Sequence, residues 1–343
     1  MNIQSSSTAP PDWDAYIGSS ADASAYHFAA AVGIGVTTFG LQPTFIHARE
    51  PTGRLVGVLP LVEQSSLIFG RFLTSVPFFT YGGLLADSPG IAVALAEHAA
   101  ELARDRRARH VELRHIEAVG DLSWAQRLDK VSMHLALPDT EESLAKQLGS
   151  KLRSQIRRAD KESPEVIWGG VELVPQFYEV FARTMHELGT PVYPRRFFEV
   201  ACAAFGELAR VLIIRVGRVV QASAIVVRHG LRIEVPWAAA TPEAKRNAMN
   251  MRLYWEMLKF SIAQKASAFD FGRSTVDSGT YRFKAQWGAK PVQLHWHYWL
   301  PAGAAIPRLN QGNPKYAFAA RAWRKLPLWA ANRFGPQIVR NLP

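Results

Sequence analysis

Hydrophobic and polar positions along the chain spell out one succession of elements twice. In the first half, Pro43–Arg49 reads as a strand, Glu50–Gly53 as a turn and Arg54–Val62 (RLVGVLPLV) as the returning strand. In the second half, Val211–Val216 and Val219–Arg228 (VVQASAIVVR) flank the tight turn Gly217-Arg218, and a third strand, Leu231–Ala239, follows. Each half then supplies one long helix. Ile91–Arg107 places Leu95, Ala99, Leu102 and Ala103 on one face, and Asn250–Ala266 carries Leu253, Met257, Leu258, Phe260 and Ile262 at helical spacing. A short strand ending in arginine closes each half, His110–Arg114 (HVELR) and Ala268–Arg273 (AFDFGR). The pattern predicts two α/β (α+β) domains of one plan, 1–145 and 146–305. The junction is expected near Pro138–Ser150, where PDTEES opens a helix with Asp139 or Thr140 as its N-cap.

Composition narrows the class. With 343 residues, 48% hydrophobic and 20% charged, the chain is neither disordered nor fibrous, and it is too long for one ordinary core. A single cysteine, Cys202, excludes a disulfide scaffold and a cysteine-rich zinc site. The start, MNIQSSSTAPPDWDAY, lacks the basic and apolar regions of a secretory signal. The longest stretch free of charge, Ala23–Ala48, is too polar for a membrane span, so a cytoplasmic location is expected.

The net charge of +11 is concentrated. Residues 306–343 form a basic aromatic tail, in which seven basic residues (Arg308, Lys315, Arg321, Arg324, Lys325, Arg333, Arg340) and no acidic one are interleaved with Tyr316, Phe318, Trp323, Trp329 and Phe334. Such a segment suits anionic lipid at the inner membrane face, an RNA partner, or an arm folding its aromatics onto its own domain. A second basic run, Lys151 to Lys161, sets Arg153, Arg157 and Lys161 on one helix face with Lys151 and Arg158 beside them. Arginines so placed suit a pyrophosphate or a tRNA backbone; a solvated helix face is the alternative.

Three motif-like strings fail on context. Asp270-Phe271-Gly272 has no HRD-type loop before it, and Gly33-Ile34-Gly35 lacks the third glycine of a dinucleotide fingerprint. His295 and His297 share a strand face without a third metal ligand nearby, so no metal is expected.

The most specific string is FDFGRSTVDSGTYRFKAQWGA (269–289), followed by LHWHYWL. With Tyr26-His27-Phe28, GRLVGVLPL, SVPFFTYGGLLAD, HVELR, KLRSQIRRADK, GTPVYP, the NMRLYWE helix and the tail WRKLPLWAANRFGP, it resembles the FemAB family of aminoacyl-tRNA-dependent peptidyl transferases. The similarity is greatest to the branch associated with the XrtA/PEP-CTERM (exosortase) system and spans about 300 residues. The resemblance implies two tandem GNAT-like domains with mixed central sheets, the second carrying the FemAB signature. It also implies transfer of an acyl or aminoacyl group to an amine. The family's FK pair, whose lysine is implicated in catalysis, is matched by Phe283 and Lys284, and the family's basic stretch by Lys151 to Lys161. The long heptad hairpin that some members use as a tRNA arm is missing.

In that chemistry negative charge develops on an ester carbonyl oxygen, and one fixed donor is worth roughly 3–4 kcal/mol. Lys284 is the candidate, with Phe283 as an apolar wall; the alternative is a surface cation beside a core phenylalanine. Arg273 is a candidate anion anchor or a salt-bridge partner of Asp270 or Asp277. Asp270 is a candidate base or a structural partner of Arg273. Tyr281 and Trp287 line an acceptor pocket or pack in the core, and Tyr193 and Tyr81 sit in loops where substrate contact is expected.

Three functions remain distinct. The first is a FemAB-like transferase using aminoacyl-tRNA on a peptidoglycan, cell-envelope or exopolysaccharide precursor, with no bound cofactor. The second is an N-acyltransferase taking acetyl-CoA or acyl-CoA to an amino sugar. Lys245–Asn250 weakens this one, because the stretch lacks the glycines with which GNAT-type enzymes cradle pyrophosphate. The third is a non-catalytic scaffold held at the membrane by the tail.

Overall fold

The computed structural model describes residues 1–66, 70–307 and 314–341. Two compact units are present, Met1–Val131 with Val292–Arg308 and Arg340–Pro343, and Ser132–Pro291 with Leu309–Val339. In chain order the elements begin β1 (Asn2–Ser6), α1 (Trp13–Ser19), α2 (Ala29–Phe39), β2 (Gln42–Arg49), β3 (Leu55–Ser66), β4 (Gly70–Thr74), β5 (Leu85–Ala86), α3 (Pro89–Asp105), β6 (Val111–His115) and β7 (Ala125–Arg127). They continue with β8 (Lys130–Ala136), α4 (Glu141–Gln147), α5 (Ser150–Asp160), β9 (Glu165–Gly169), α6 (Val174–Leu188), α7 (Arg195–Phe205), β10 (Ala209–Val216), β11 (Val219–His229) and β12 (Arg232–Ala240). The last are α8 (Pro242–Arg246), α9 (Met249–Ala263), β13 (Ala268–Thr275), α10 (Gly279–Ala285), β14 (Lys290–Gln293), β15 (His295–Trp299), α11 (Pro314–Lys325) and α12 (Leu328–Val339).

Among the described residues these strands make two mixed sheets. One has eight strands in the order β1-β2-β3-β4-β6-β15-β7 with β5 on β3, and the other has seven in the order β14-β8-β13-β12-β11-β10-β9. Parallel pairing joins β4 with β6 in the first and β12 with β13 in the second. Hairpin, long helix and short strand therefore recur in both halves, as the patterning predicts, although the strands run past their arginines, to His115 and Thr275. Thr140 is the N-cap at the start of α4, its hydroxyl accepting from Ser143 N at 3.2 Å.

The long helices form for the reasons their spacing gives. In α3, Ser88 caps the N-terminus and Pro89 occupies the first turn, where no backbone donor is needed. Its Leu95, Ala96, Ala99 and Ala103 pack on Ile46, Leu59, Leu61, Val111 and Leu113 of the first sheet. Each leucine so buried contributes about 1.5–3 kcal/mol. In α9, Leu253, Met257 and Leu258 are buried, while Phe260 is half-buried and stacks on Trp168 at 4.3 Å.

Two elements lie outside what local patterning reveals. The polar segment Asn2–Ser6 becomes β1 by pairing with β2 from Asn2↔Arg49 to Ser6↔Phe45. The strand β15, close to the second unit in sequence, enters the first sheet antiparallel to β6. No helix among the described residues is long and apolar enough to cross a membrane.

Candidate active site

The second sheet places its chemistry where its parallel ladder ends. β12 and β13 are in register at Arg232↔Ala268, Ile233↔Phe269 and Glu234↔Asp270, where the parallel ladder ends. Asp270 is fully buried at that point. Its Oδ1 accepts from Ser132 Oγ at 2.6 Å and from Gly272 N at 2.7 Å, and its Oδ2 lies 3.1 Å from His134 Nε2. Ser132 and His134 are two residues apart on β8, so strand alternation turns both toward Asp270. Burial works to raise the Asp270 carboxyl, but His134, the Ser132 hydroxyl and the Gly272 amide outweigh it and hold it below its ordinary value.

Gly272 makes the second feature possible. At φ 76° it adopts the left-handed backbone that side-chain-bearing residues resist. The carbonyls of Gly272 and Arg273 accept from Lys284 Nζ at 2.8 and 2.9 Å. Lys284 stands on the short helix α10, which Ser278 caps by accepting from Tyr281 N. Burial lowers the Lys284 ammonium to about 8, against the attraction of Asp270 and Glu234. Glu234 in turn is buried against His229, Oε2 to Nε2 3.0 Å. A titratable cation is thus clamped by two carbonyls, among the residues of the Asp270 carboxylate cluster.

Phe283 is half-buried and meets Tyr254 edge-on at 5.0 Å. Trp287 lies 2% exposed in the same aromatic cluster, with Tyr254 and Phe271 at 6.1 and 6.4 Å, and its Nε1 has no hydrogen-bond partner. Tyr281 is half-buried and Arg273 exposed. Tyr193 is half-buried, stacked on Phe197 at 4.5 Å, with its carbonyl accepting from Tyr178 Oη. Lys284, Phe283, Asp270, Arg273, Tyr281 and Trp287 are therefore grouped along β13 and α10. Tyr81 is in the first unit, buried against Tyr26.

The basic run forms α5. It buries Leu152, Ile156 and Ala159 and exposes Lys151, Arg153, Arg157, Arg158 and Lys161. None of these five pairs with a carboxylate among the described residues, whereas Asp160 at the end of the helix pairs with Arg252 of α9. The stretch Lys245–Asn250 folds as the end of α8 and the start of α9, with buried Ala248 in the left-handed conformation at φ 61°. An alanine thus occupies a backbone conformation natural to glycine, and its Cβ stands just before the helix N-terminus.

Ser132, His134 and Glu234 were not among the residues picked out by motif. The alternation in KVSMHLA (130–136) is the signal that places Ser132 and His134 on one strand face. The other histidine pair lies in the first unit: His297 is buried and His295 Nδ1 is 3.2 Å from Gln126 Oε1.

Residues 149–285 match the acetyltransferase (GNAT) domain family. The span runs from α5 through α10 and so includes Lys151, Asp270, Arg273 and Lys284. The crystal structure of FemX is similar at a TM-score of 0.64 and 13% identity, covering 85% of this chain and 96% of that one. L-PGS from Bacillus licheniformis is similar at 0.57 and 11%, covering 93% and 98%. A tandem GNAT protein from the clavulanic acid biosynthesis pathway is similar at 0.56 and 14%, covering 89% and 100%. No curated protein matches the sequence. The fold is a tandem GNAT-like α/β architecture with two mixed sheets.

Proposed function

We propose that the chain transfers an aminoacyl group from aminoacyl-tRNA to an amine of a cell-envelope precursor, a peptidoglycan or exopolysaccharide building block. In this reading it is a FemAB-like enzyme of the XrtA/PEP-CTERM-associated branch. The observation that carries the proposal is the buried Lys284 ammonium, clamped by the Gly272 and Arg273 carbonyls in the same polar cluster as the Asp270–His134 pair. The acceptor nitrogen attacks the ester carbonyl carbon, a C–N bond forms, and the electron pair moves onto the carbonyl oxygen beside Lys284. His134, held by Asp270, takes the proton from the attacking nitrogen. The C–O bond then breaks and the same proton passes to the departing tRNA hydroxyl. Asp270 accepts from Ser132 and Gly272 and lies against His134, which suits it to orienting His134 better than to taking the proton itself. The unpaired basic face of α5 suits the phosphates of tRNA.

A second reading, transfer from acetyl-CoA or acyl-CoA to an amino sugar, is favoured by the acetyltransferase family match. Ala248 weighs against it, since a Cβ there hinders close approach of a pyrophosphate to the start of α9. The two readings separate by ligand-dependent thermal stability, because a ligand specific to the folded state raises the midpoint by mass action. A rise with charged tRNA that is lost in an Arg153→Gln/Arg157→Gln variant supports aminoacyl transfer. A rise with acetyl-CoA alone overturns it. Radiolabel passing from charged tRNA to an amine-bearing nucleotide-linked precursor, and lost in Lys284→Ala, completes the test.

A further inference from the structure

The basic aromatic tail is not used by the chemistry above. Arg308 and the side chains of Lys315 and Tyr316 lie outside the described residues. The rest forms α11 and α12, both packed on α6. α12 docks through small residues: Ala331, Gly335 and Val339 are buried at four-residue spacing. A Cβ on Gly335 would stand 3.0 Å from both the nitrogen and the oxygen of Val192, so the helix lies directly against that backbone.

What the helix buries is small, and what it presents is large. Trp329 and Phe318 are each 71% exposed, Phe334 50% and Ile338 40%. The expectation that the arm folds its aromatics onto its own domain fails for these side chains. Arg321, Arg324, Lys325 and Arg333 are exposed beside them, and residues 308–343 contain no acidic residue. On α12, Trp329 and Arg333 are four apart, as are Phe334 and Ile338, so apolar and basic groups share the outer surface.

We propose that the outer face of α11 and α12 is a peripheral docking surface for an anionic lipid bilayer. Tryptophan and phenylalanine settle at headgroup depth, while arginine and lysine stay with the lipid phosphates. α12 is held by its buried face and α11 lies against α6, so the aromatics stand ready without an ordering step. Charge complementarity selects anionic over zwitterionic lipid. The aliphatic Ile338 and Leu326, 40% and 37% exposed, favour a bilayer over nucleic acid, because they partition into the acyl boundary and add nothing to base stacking.

The test is co-sedimentation of the full chain with vesicles of phosphatidylglycerol and phosphatidylcholine in equal parts, and with phosphatidylcholine alone. Binding is expected to the first and not to the second. Trp329→Ala/Phe334→Ala is expected to weaken it about tenfold or more, since each ring withdraws a large apolar area. Arg324→Gln/Arg333→Gln is expected to weaken it about twentyfold at low salt. All four positions are exposed, and an unchanged circular dichroism spectrum confirms the fold of each variant. No sedimentation with the anionic vesicles overturns the proposal, as does binding that both variants retain. If vesicles are ignored while uncharged tRNA binding or self-association depends on Trp329 and Phe334, the face belongs to that partner and the bilayer is excluded.

Discussion

Two corresponding strands, β6 in the first unit and β13 in the second, solve the problem of a buried carboxylate in opposite ways. In β6 the spacing is Glu112-Leu113-Arg114. Two residues apart on a strand is the same face, so Arg114 Nε meets Glu112 Oε1 at 2.6 Å in the interior. The guanidinium is further fixed by the Phe79 carbonyl at 2.7 Å and by Trp296 of β15, 4.5 Å from its ring centre. In β13 the spacing is Asp270-Phe271-Gly272-Arg273. Three apart is the opposite face, and Arg273 goes to solvent. The position that holds arginine in β6 holds a glycine here, whose backbone turns two carbonyls to Lys284. One carboxylate is closed off by a permanent cation and works as a clasp. The other is shared among a hydroxyl, an amide and a histidine in a cluster with a lysine that titrates near neutrality, which is what proton transfer requires. One inserted residue separates structure from chemistry.

The dry end of β6 is expected to show first in acid. Burial lowers His110 and His297 from 6.5 to about 4, so both are neutral in the folded chain and protonate on unfolding. A lowered folded value means that the unfolded chain binds more protons between those limits. Stability is therefore full above pH 6.5 and lost as pH falls toward 4, by on the order of 5 kcal/mol for the two together. Hydrogen exchange at the β6 and β15 amides, followed from pH 7 to 4 and corrected for intrinsic rates, measures it. Protection that stays flat would show that water already reaches these rings.

Next in size is the clasp. Glu112→Gln or Arg114→Met leaves one buried charge without its partner and is expected to cost about 3–5 kcal/mol of stability. Transfer per folded molecule should not change. A loss of activity without a loss of stability would mean that the first unit's strand end is also a reaction site and would dissolve the comparison.

How much of this is legible without coordinates follows from range. The hairpins, the long helices and the Thr140 cap obey patterns only a few residues wide, and all are found within a few residues of where spacing puts them. Lys284 and Asp270 stand out as residue types on a short helix and a strand. What no window reveals is set by distant pairing. Ser132 and His134 become site residues only because β8 lies beside β13, and Asn2–Ser6 becomes a strand only because β2 offers an edge. The open placement of Trp329 and Phe318 depends on which face of α11 and α12 the rest of the unit covers.

The β13 side of the comparison is tested by Lys284→Met. Loss of the cation is expected to slow transfer about 100- to 1,000-fold, or roughly 3–4 kcal/mol of barrier. Stability should not fall with it. Holding the ammonium inside below pH 8 costs the folded chain about 3 kcal/mol, because burial brings it from 10.5 to about 8. That cost is present in full below pH 8 and disappears as pH rises from 8 toward 10.5. At pH 7 the methionine variant therefore trades this gain against two carbonyls left without a donor, and its melting temperature should stay near that of the parent. In the unaltered enzyme the rate should decline above about pH 8 as Lys284 loses its proton. A variant that melts many degrees lower would make Lys284 a structural strut.

The smallest effect isolates the glycine itself. Gly272→Ala adds a Cβ that has room, 3.4 Å from the nearest heavy atom, Val235 O, so the expense is conformational. A left-handed φ of 76° costs a non-glycine residue about 1–2 kcal/mol. If the strand keeps its course, stability drops by that amount and the alkaline limb of the rate profile is unmoved. If the backbone relaxes instead, the two carbonyls swing away from Lys284 Nζ, the ammonium loses its acceptors, and the limb shifts to lower pH. A variant unchanged in both stability and profile would show that neither carbonyl holds Lys284. The contrast with Arg114 would then rest on burial alone, not on what the backbone at the position two beyond the carboxylate can do.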